Sequence, residues 1–528
     1  MTATALNVTA RLSRLAEQPE ATALISCRKQ TDRTVHRGEL LRGCHATAQA
    51  LREAGVLPGH KAVVMTRDAY DLTAVTYALC SLGAVPVLIE PRAEVGRCLK
   101  EIAPDVLIGE PLAHLGRRAR GWGRPHVRIA LVTGRTPLAP GRWLTTQAPD
   151  GSGPLPRLAE PSGDDLAMIA FTSGSTGRPR GAEYRYTTLT GQLDALTGLL
   201  TPRADDVLLA GFLPVAMLGP LLDLTTVAPA VNHLAPARTP PRELVEPILR
   251  HSVTKILASP AVLTLIAAHC ARHGITLPSV RQILSFGAPL RTRLADALRK
   301  AVPDDAELLS VYGATECLPV SAITDHDLRT ARPRPPAGQA GTCLGRPLPG
   351  LHARILDADA TGLGEISVCG PTVSPAYHAQ PEADAATKIE TNRGVLHRTG
   401  DLGRLDDQGR LWFLGRRAHL VTTSGSSLTT EDVEIVTDTA PGVSRTALVG
   451  VGPAGSQLPV LCVEVQPSAD RARALAAVRA ALTGHPAAHR IGALLPHPGF
   501  PTDPRHNSKI DRPRLAAWAA KRLRGRPR

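Results

Sequence analysis

Phe171-Thr172-Ser173-Gly174-Ser175-Thr176-Gly177-Arg178-Pro179-Arg180-Gly181 is the stretch on which the fold turns. The apolar run 168–171 ahead of it reads as a buried strand. Small residues after a strand leave backbone N–H groups able to turn toward an anion. The hydroxyls of Thr172, Ser173, Ser175 and Thr176 add donors. Arg180 contributes a planar, permanently charged fork suited to phosphate. No Gly-Lys-Ser/Thr follows the glycine spacing, so this is not a P-loop. A generic Gly/Ser segment is more often a flexible turn. Eleven residues of this pattern directly after a strand point instead to anion binding.

Working outward, elements alternate. Leu41, Cys44, Ala48 and Leu51 follow helical spacing, and Gly55 closes the helix. Run 62–65 reads as a strand, and a further helix leads to 85–89. Short apolar runs recur at 106–108, 129–132, 207–210, 256–258 and 283–284, many of them separated by helical stretches. This alternation predicts an α/β fold with buried sheets. The longest apolar stretch, 72–89, contains Gly83 and Pro86. It reads as helix, turn and buried strand rather than a membrane span. Segments 134–165 and 331–341 are rich in Pro and Gly and read as loops. After about residue 350 the pattern shifts to short strands, with Asp406-Asp407-Gln408-Gly409-Arg410 as a hairpin-type turn.

Composition narrows the function classes. The 528 residues are 43% apolar and 20% charged, which excludes a mostly disordered or collagen-like chain. Aromatics are only 3%, too few for a stacking surface for single-stranded nucleic acid. The net charge of +14 comes from 53 arginines and eight lysines spread along the chain, not from a focused stripe, so no nucleic-acid partner is expected. The basic tail 521–528 reads as solvated, with an anionic membrane surface as its functional alternative. Nine widely spaced cysteines with no CxxC pair fit reduced thiols better than a disulfide framework or a zinc site. No signal peptide is read at the N-terminus. The expectation is a cytoplasmic protein, with peripheral membrane contact as the alternative.

Further motifs follow in order: Ser285-Phe286-Gly287-Ala288-Pro289-Leu290, Val311-Tyr312-Gly313-Ala314-Thr315-Glu316, Thr399-Gly400-Asp401, Gly415-Arg416-Arg417 and Asn507-Ser508-Lys509-Ile510-Asp511-Arg512. With the 171–181 loop, they resemble the adenylate-forming superfamily of acyl-CoA synthetases, luciferases and peptide-synthetase adenylation domains. The resemblance runs from about residue 41 to 518. It implies ATP and Mg²⁺ as cofactors. Thr172, Ser173, Gly174, Ser175, Thr176, Gly177 and Arg180 would bind the phosphates, with Arg180 standing where relatives usually carry Lys. Gly287, Ala288 and Pro289 would line the nucleotide pocket, with Phe286 at a place usually small. Tyr312, next to Gly313, would stack on adenine, and Thr315 would contact phosphate. Glu316 would help hold Mg²⁺, a hard cation that prefers oxygen. Asp401 would accept hydrogen bonds from the ribose hydroxyls, and Arg416 would reach ribose or phosphate. Lys509 would bridge the carboxylate and the α-phosphate and stabilise the transition state. The implied architecture is a large N-terminal AMP-binding domain, 1–415, with two doubly wound sheets and a small β-barrel-like part. A mobile α+β lid, 416–528, would carry Lys509.

Within the superfamily, four stretches resemble one branch: Tyr312 to Ser321, Ala340 to Pro347, Arg410 to His419 and Asp503 to Ile510. That branch is the β-lactone synthetases of bacterial olefin biosynthesis. The implied reaction adenylates a β-hydroxy fatty acid of the 2-alkyl-3-hydroxyalkanoate type. The β-hydroxyl then closes a β-lactone, with AMP and pyrophosphate released. Other enzymes of a hydrocarbon or β-lactone pathway would be its partners. The acyl-pocket segment 212–220, with Phe212, Val215, Met217 and Leu218 as acyl contacts, lacks the His of many thioester-forming relatives. Segment 422–428 lacks their usual Arg. The alternatives are a fatty acyl-CoA ligase, an acyl-AMP ligase and, from another class, a non-catalytic nucleotide or nucleic-acid binder. His397 and His419 lie near the ribose and hinge motifs; both read first as structural, with His419 a candidate base for ring closure. Gly450-Val451-Gly452-Pro453-Ala454-Gly455 has the dinucleotide spacing, but a strand-like run follows where a helix is needed.

Overall fold

The apolar runs become strands of two mostly parallel sheets, as continuous burial on both faces requires. A computed structural model describes residues 8–28, 31–89, 94–134, 142–144, 146, 161–172, 179–232, 235–331, 341–502 and 510–524. Ser173, Gly174, Ser175, Thr176, Gly177 and Lys509 lie outside the described residues, as do most of the loops expected at 134–165 and 331–341. Contacts divide the chain into two units. One comprises 1–320, 348–351 and 369–397; the other comprises 321–347, 352–368 and 398–528.

In the first unit, one sheet has the strand order Arg142–Trp143, Ile129–Val132, Val106–Gly109, Lys61–Met65, Val85–Leu88, Leu166–Thr172 and Arg180–Arg185. All its pairs are parallel except the last. A second sheet runs Glu307–Ala314, Gln282–Phe286, Lys255–Ala258, Val207–Ala210, Thr225–Ala228, Thr22–Ser26 and Arg33–His36. Again only the outermost pair at the Arg33–His36 end is antiparallel. Parallel neighbours need crossovers, and helices such as Ala69–Ser81, Val95–Ile102, Pro260–His273 and Thr292–Arg299 supply them. Each sheet has its own apolar core, one around Val64, Val75, Leu79 and Ile108, the other around Leu209, Ile256, Leu263, Ile283 and Leu308. The stretch 72–89 is the end of helix Ala69–Ser81, a turn and strand Val85–Leu88. No helix among the described residues is long and apolar enough to cross a membrane.

The second unit is α+β. Its larger run of strands has the order His352–Leu356, Gly364–Cys369, Gly394–Leu405, Leu411–Arg416 and Thr342–Pro347, with Leu411–Arg416 antiparallel to both of its neighbours. The predicted hairpin turn joins Gly394–Leu405 to Leu411–Arg416. Asp406 organises it: Oδ1 accepts the N–H groups of Gln408 and Arg410 at 3.0 and 2.8 Å, and Oδ2 accepts Trp412 Nε1–H at 2.8 Å. Strands Val443–Val451, Leu458–Val465 and Ala493–His497 form a smaller sheet with helices Thr430–Thr437, Arg471–Ala481 and Arg512–Arg524. Residues 450–455 turn between two antiparallel strands, so the dinucleotide reading fails. All nine cysteines are free thiols.

Candidate active site

The nucleotide motifs of the first unit sit at the carboxyl ends of adjacent parallel strands, the usual ligand crevice of an open α/β sheet. Gln282–Phe286 and Glu307–Ala314 pair with Ser285 opposite Ser310 and Phe286 opposite Val311. Gly287 and Tyr312 therefore emerge side by side. Gly287 is exposed and has φ of +94°, a conformation that favours glycine. Ala288 and Pro289 beside it are partly exposed. Phe286, before this glycine, is buried. Burial changes abruptly along the other strand: Leu308 to Val311 are buried, Tyr312 to Glu316 are partly exposed, and Cys317 is buried again. Thr315 and Glu316 form the turn before strand Cys317–Thr324. Gly313 permits this turn, because a Cβ there would meet Cys317 O at 2.8 Å and Leu318 Cδ1 at 2.6 Å.

Arg180 sits at the base of the predicted phosphate loop, opposite Thr172 in an antiparallel pair. Arg180, Thr315 and Glu316 are brought together by two tyrosines that sequence reasoning passed over. Tyr184 donates its hydroxyl hydrogen bond to the Thr315 carbonyl. Tyr377 donates to Glu316 Oε1 at 2.8 Å, and the Arg180 guanidinium lies 5.3 Å from its ring centroid. The other oxygen of Glu316 takes no hydrogen bond from a described residue. It is a hard donor of the kind Mg²⁺ prefers, so the site fits that ion. Lys388 was also missed. Its ammonium lies 5.1 Å from the Tyr377 ring centroid and donates to Ser374 O at 2.6 Å. Burial pulls its pKa down to about 8, opposed by Cys317 and the carboxylates of Glu316 and Asp384. Rarity was the only sequence signal for either: the chain has six tyrosines and eight lysines.

The acyl segment forms the short helix Leu213–Leu218. Val215 and Met217 turn into the core, and the Met217 carbonyl accepts the Tyr77 hydroxyl. Phe212 and Leu218 stay partly exposed. His397 is buried, edge-on to Tyr377 at 6.4 Å between centroids.

In the second unit, the hairpin register sets Asp401 opposite Arg416, and Asp401 Oδ1 meets Arg416 Nε at 2.7 Å. The turn before Asp401 is held from below. Glu365 Oε1 accepts Gly400 N–H at 2.9 Å, and the Thr399 hydroxyl donates to Ile366 O at 2.7 Å. Burial, with Arg512 and Arg416 nearby, pushes the His419 imidazole down to about 3, so it is uncharged near neutrality. The flanks of the Lys509 motif are tied down. Ile510 pairs with Thr502, Asp511 N–H donates to Pro501 O at 2.8 Å, and Arg512 binds Glu434.

A strand-end glycine, tyrosine and carboxylate at the carboxyl ends of adjacent parallel strands fit a nucleotide-activating enzyme. The chain belongs to the AMP-binding enzyme family, whose profile matches residues 13–378. It is 38% identical to the olefin beta-lactone synthetase of Stenotrophomonas maltophilia (strain K279a), over 98% of this chain and 99% of that one. It is 39% identical to the olefin beta-lactone synthetase of Xanthomonas campestris pv. campestris, over 98% of each chain. In fold it is similar to an amide bond synthetase from Marinactinospora thermotolerans, with a TM-score of 0.79 and 24% identity over 97% of this chain and 99% of the other.

Proposed function

We propose that this enzyme uses ATP to adenylate a β-hydroxy fatty acid of the 2-alkyl-3-hydroxyalkanoate type and closes the adenylate to a β-lactone. The observation that carries this reading is the full-length identity to two olefin beta-lactone synthetases. Two features of the chain support it over thioester formation: segment 212–220 has no His, and segment 422–428 has no Arg.

In the first step a substrate carboxylate oxygen bonds to the α-phosphorus, and the bond to pyrophosphate breaks. Arg180 and Lys509 bring positive charge to the oxygens on which negative charge grows. Glu316 would hold Mg²⁺, which when bound neutralises phosphate charge. Tyr312 would pack on adenine, while Asp401 and Arg416 would bind ribose. In the second step the substrate's own hydroxyl oxygen attacks the activated carbonyl. The attack is intramolecular, so no second molecule has to be brought into place. The carbonyl–oxygen bond to AMP breaks as the ring closes. A phosphate monoester has its second pKa at about 6. The departing AMP can therefore take the proton, while burial, with Arg512 and Arg416 nearby, disfavours protonation of His419. In this reading residues 1–415 are the adenylation domain and 416–528 the lid, which must move to deliver Lys509. The nine free thiols support a cytoplasmic setting.

The test is product analysis by mass spectrometry and NMR with Mg²⁺, ATP and a 2-alkyl-3-hydroxy fatty acid, with and without coenzyme A. A β-lactone formed equally well without the thiol is expected. A thioester appearing only with coenzyme A would overturn the reading. Asp401→Ala is expected to weaken ATP binding by roughly 10-fold or more, the worth of charge-assisted hydrogen bonds. Calorimetric titration with ATP checks this, and an unchanged affinity would remove Asp401 from the ribose site.

A further inference from the structure

Resting on the adenylation reading, we propose that Tyr377 is a positioning residue: it holds the metal-binding carboxylate of Glu316 and the phosphate-binding guanidinium of Arg180 in place while keeping the two charges apart. Residues 373–378 lie within the family match, and none of the site motifs quoted from the sequence includes them.

Residues 373–378 are stitched between the two halves of the phosphate site. On one side, Glu183 N–H donates to Ala376 O at 2.9 Å and His378 N–H donates to Gly181 O at 2.8 Å, close to Arg180. On the other, Ser374 N–H donates to the Glu316 carbonyl at 2.8 Å, and Val373 pairs with Cys317. The segment thus grips the backbone on both sides, and Tyr377 grips the side chains. It is 3% exposed and its own N–H is tied to Asp384 Oδ1 at 2.8 Å, so the ring has little freedom. Its hydroxyl fixes one oxygen of Glu316, and its face carries Arg180 within the range of a cation–π contact. Lys388 secures the arrangement from the far end of the segment, through Ser374 O and the same ring.

The two catalytic charges have opposite signs and share one ring, yet no ion pair joins Arg180 to Glu316. At contact distance, away from bulk water, such a pair would attract strongly. It would also satisfy each group with the other, leaving less for phosphate and metal. A neutral phenol between them prevents the collapse.

The experiment is calorimetric titration of the full chain with a non-hydrolysable ATP analogue, with and without Mg²⁺. Tyr377→Phe keeps the ring and loses only the O–H···O bond. The expected result is a roughly 10-fold loss of the Mg²⁺-dependent gain in affinity, as when other metal ligands lose a supporting hydrogen bond. Mg²⁺-free binding should change less than about twofold, which a general structural defect would not spare. A natively folded Tyr377→Phe with the full wild-type gain would overturn the proposal. Should that variant fail to fold, Lys388→Met unties the ring and leaves the hydroxyl in place. A smaller loss of the same gain is expected there, and its full retention would overturn the proposal. If the wild-type chain itself shows no Mg²⁺-dependent binding, the adenylation reading fails rather than the role of Tyr377.

Discussion

Lys509→Ala is expected to slow acyl-adenylate formation by about 10²–10³-fold while leaving ATP affinity within about twofold. The proposed role is confined to the transition state, where the carboxylate oxygen and the α-phosphate both carry negative charge and one ammonium can serve both. An interaction made only there lowers kcat and leaves ground-state binding alone. The residue type is informative, because a chain with 53 arginines and eight lysines keeps Lys here. A compact ammonium reaches two oxygens as a point charge, whereas a guanidinium imposes a planar fork. The surroundings suit the role: the pairing of Thr502 with Ile510 and the bond from Asp511 N–H to Pro501 O close the ends of the segment that carries the lysine. Pyrophosphate release reads the rate, and calorimetry reads ATP affinity. A wild-type rate in the variant would remove Lys509 from the chemistry.

Arg512→Ala is expected to destabilise the smaller sheet of the second unit by about 3–5 kcal/mol. Arg512 makes two parallel bonds to Glu434, Nη1 to Oε1 at 2.6 Å and Nη2 to Oε2 at 2.8 Å, and Nη1 also donates to Leu448 O at 2.9 Å. Glu434 in turn accepts Leu448 N–H at 2.8 Å, so the pair joins helices Thr430–Thr437 and Arg512–Arg524 to strand Val443–Val451. The Glu434 side chain is only 4% exposed. Removing the arginine therefore leaves a charge that water cannot reach. Hydrogen exchange in strands Val443–Val451 and Leu458–Val465 measures the loss. The double variant Arg512→Met with Glu434→Leu should recover most of it, since replacing both charges by apolar groups removes the unpaired carboxylate. Protection equal to wild type in the single variant would show that the pair contributes little.

The alternation of apolar runs marked most of the inner strands of both parallel sheets, because each run is read from neighbouring residues, but it passed over Thr22–Ser26, Thr225–Ala228 and Glu307–Ala314. The turn at 406–410 was legible for the same reason, as Asp406 binds groups within six positions of itself. Gly287, Tyr312, Glu316 and Asp401 were marked only by the resemblance of their motifs to the adenylate-forming superfamily. What periodicity could not show was which way side chains face once elements pack. The acyl segment is a short helix in which Val215 and Met217 are buried and Phe212 and Leu218 partly exposed, a division its sequence did not show. His419 reads as a candidate base; burial, then the distant Arg512 and Arg416, disfavour its protonated form. Tyr377 and Glu316 are 61 residues apart and meet only because segment 373–378 lies between two other elements. Local sequence determined the elements and the motif positions, because helix and strand periods and turn chemistry depend on near neighbours. Tertiary structure decided burial, charge partners and the tyrosine contact, because those depend on residues that only the folded chain brings together.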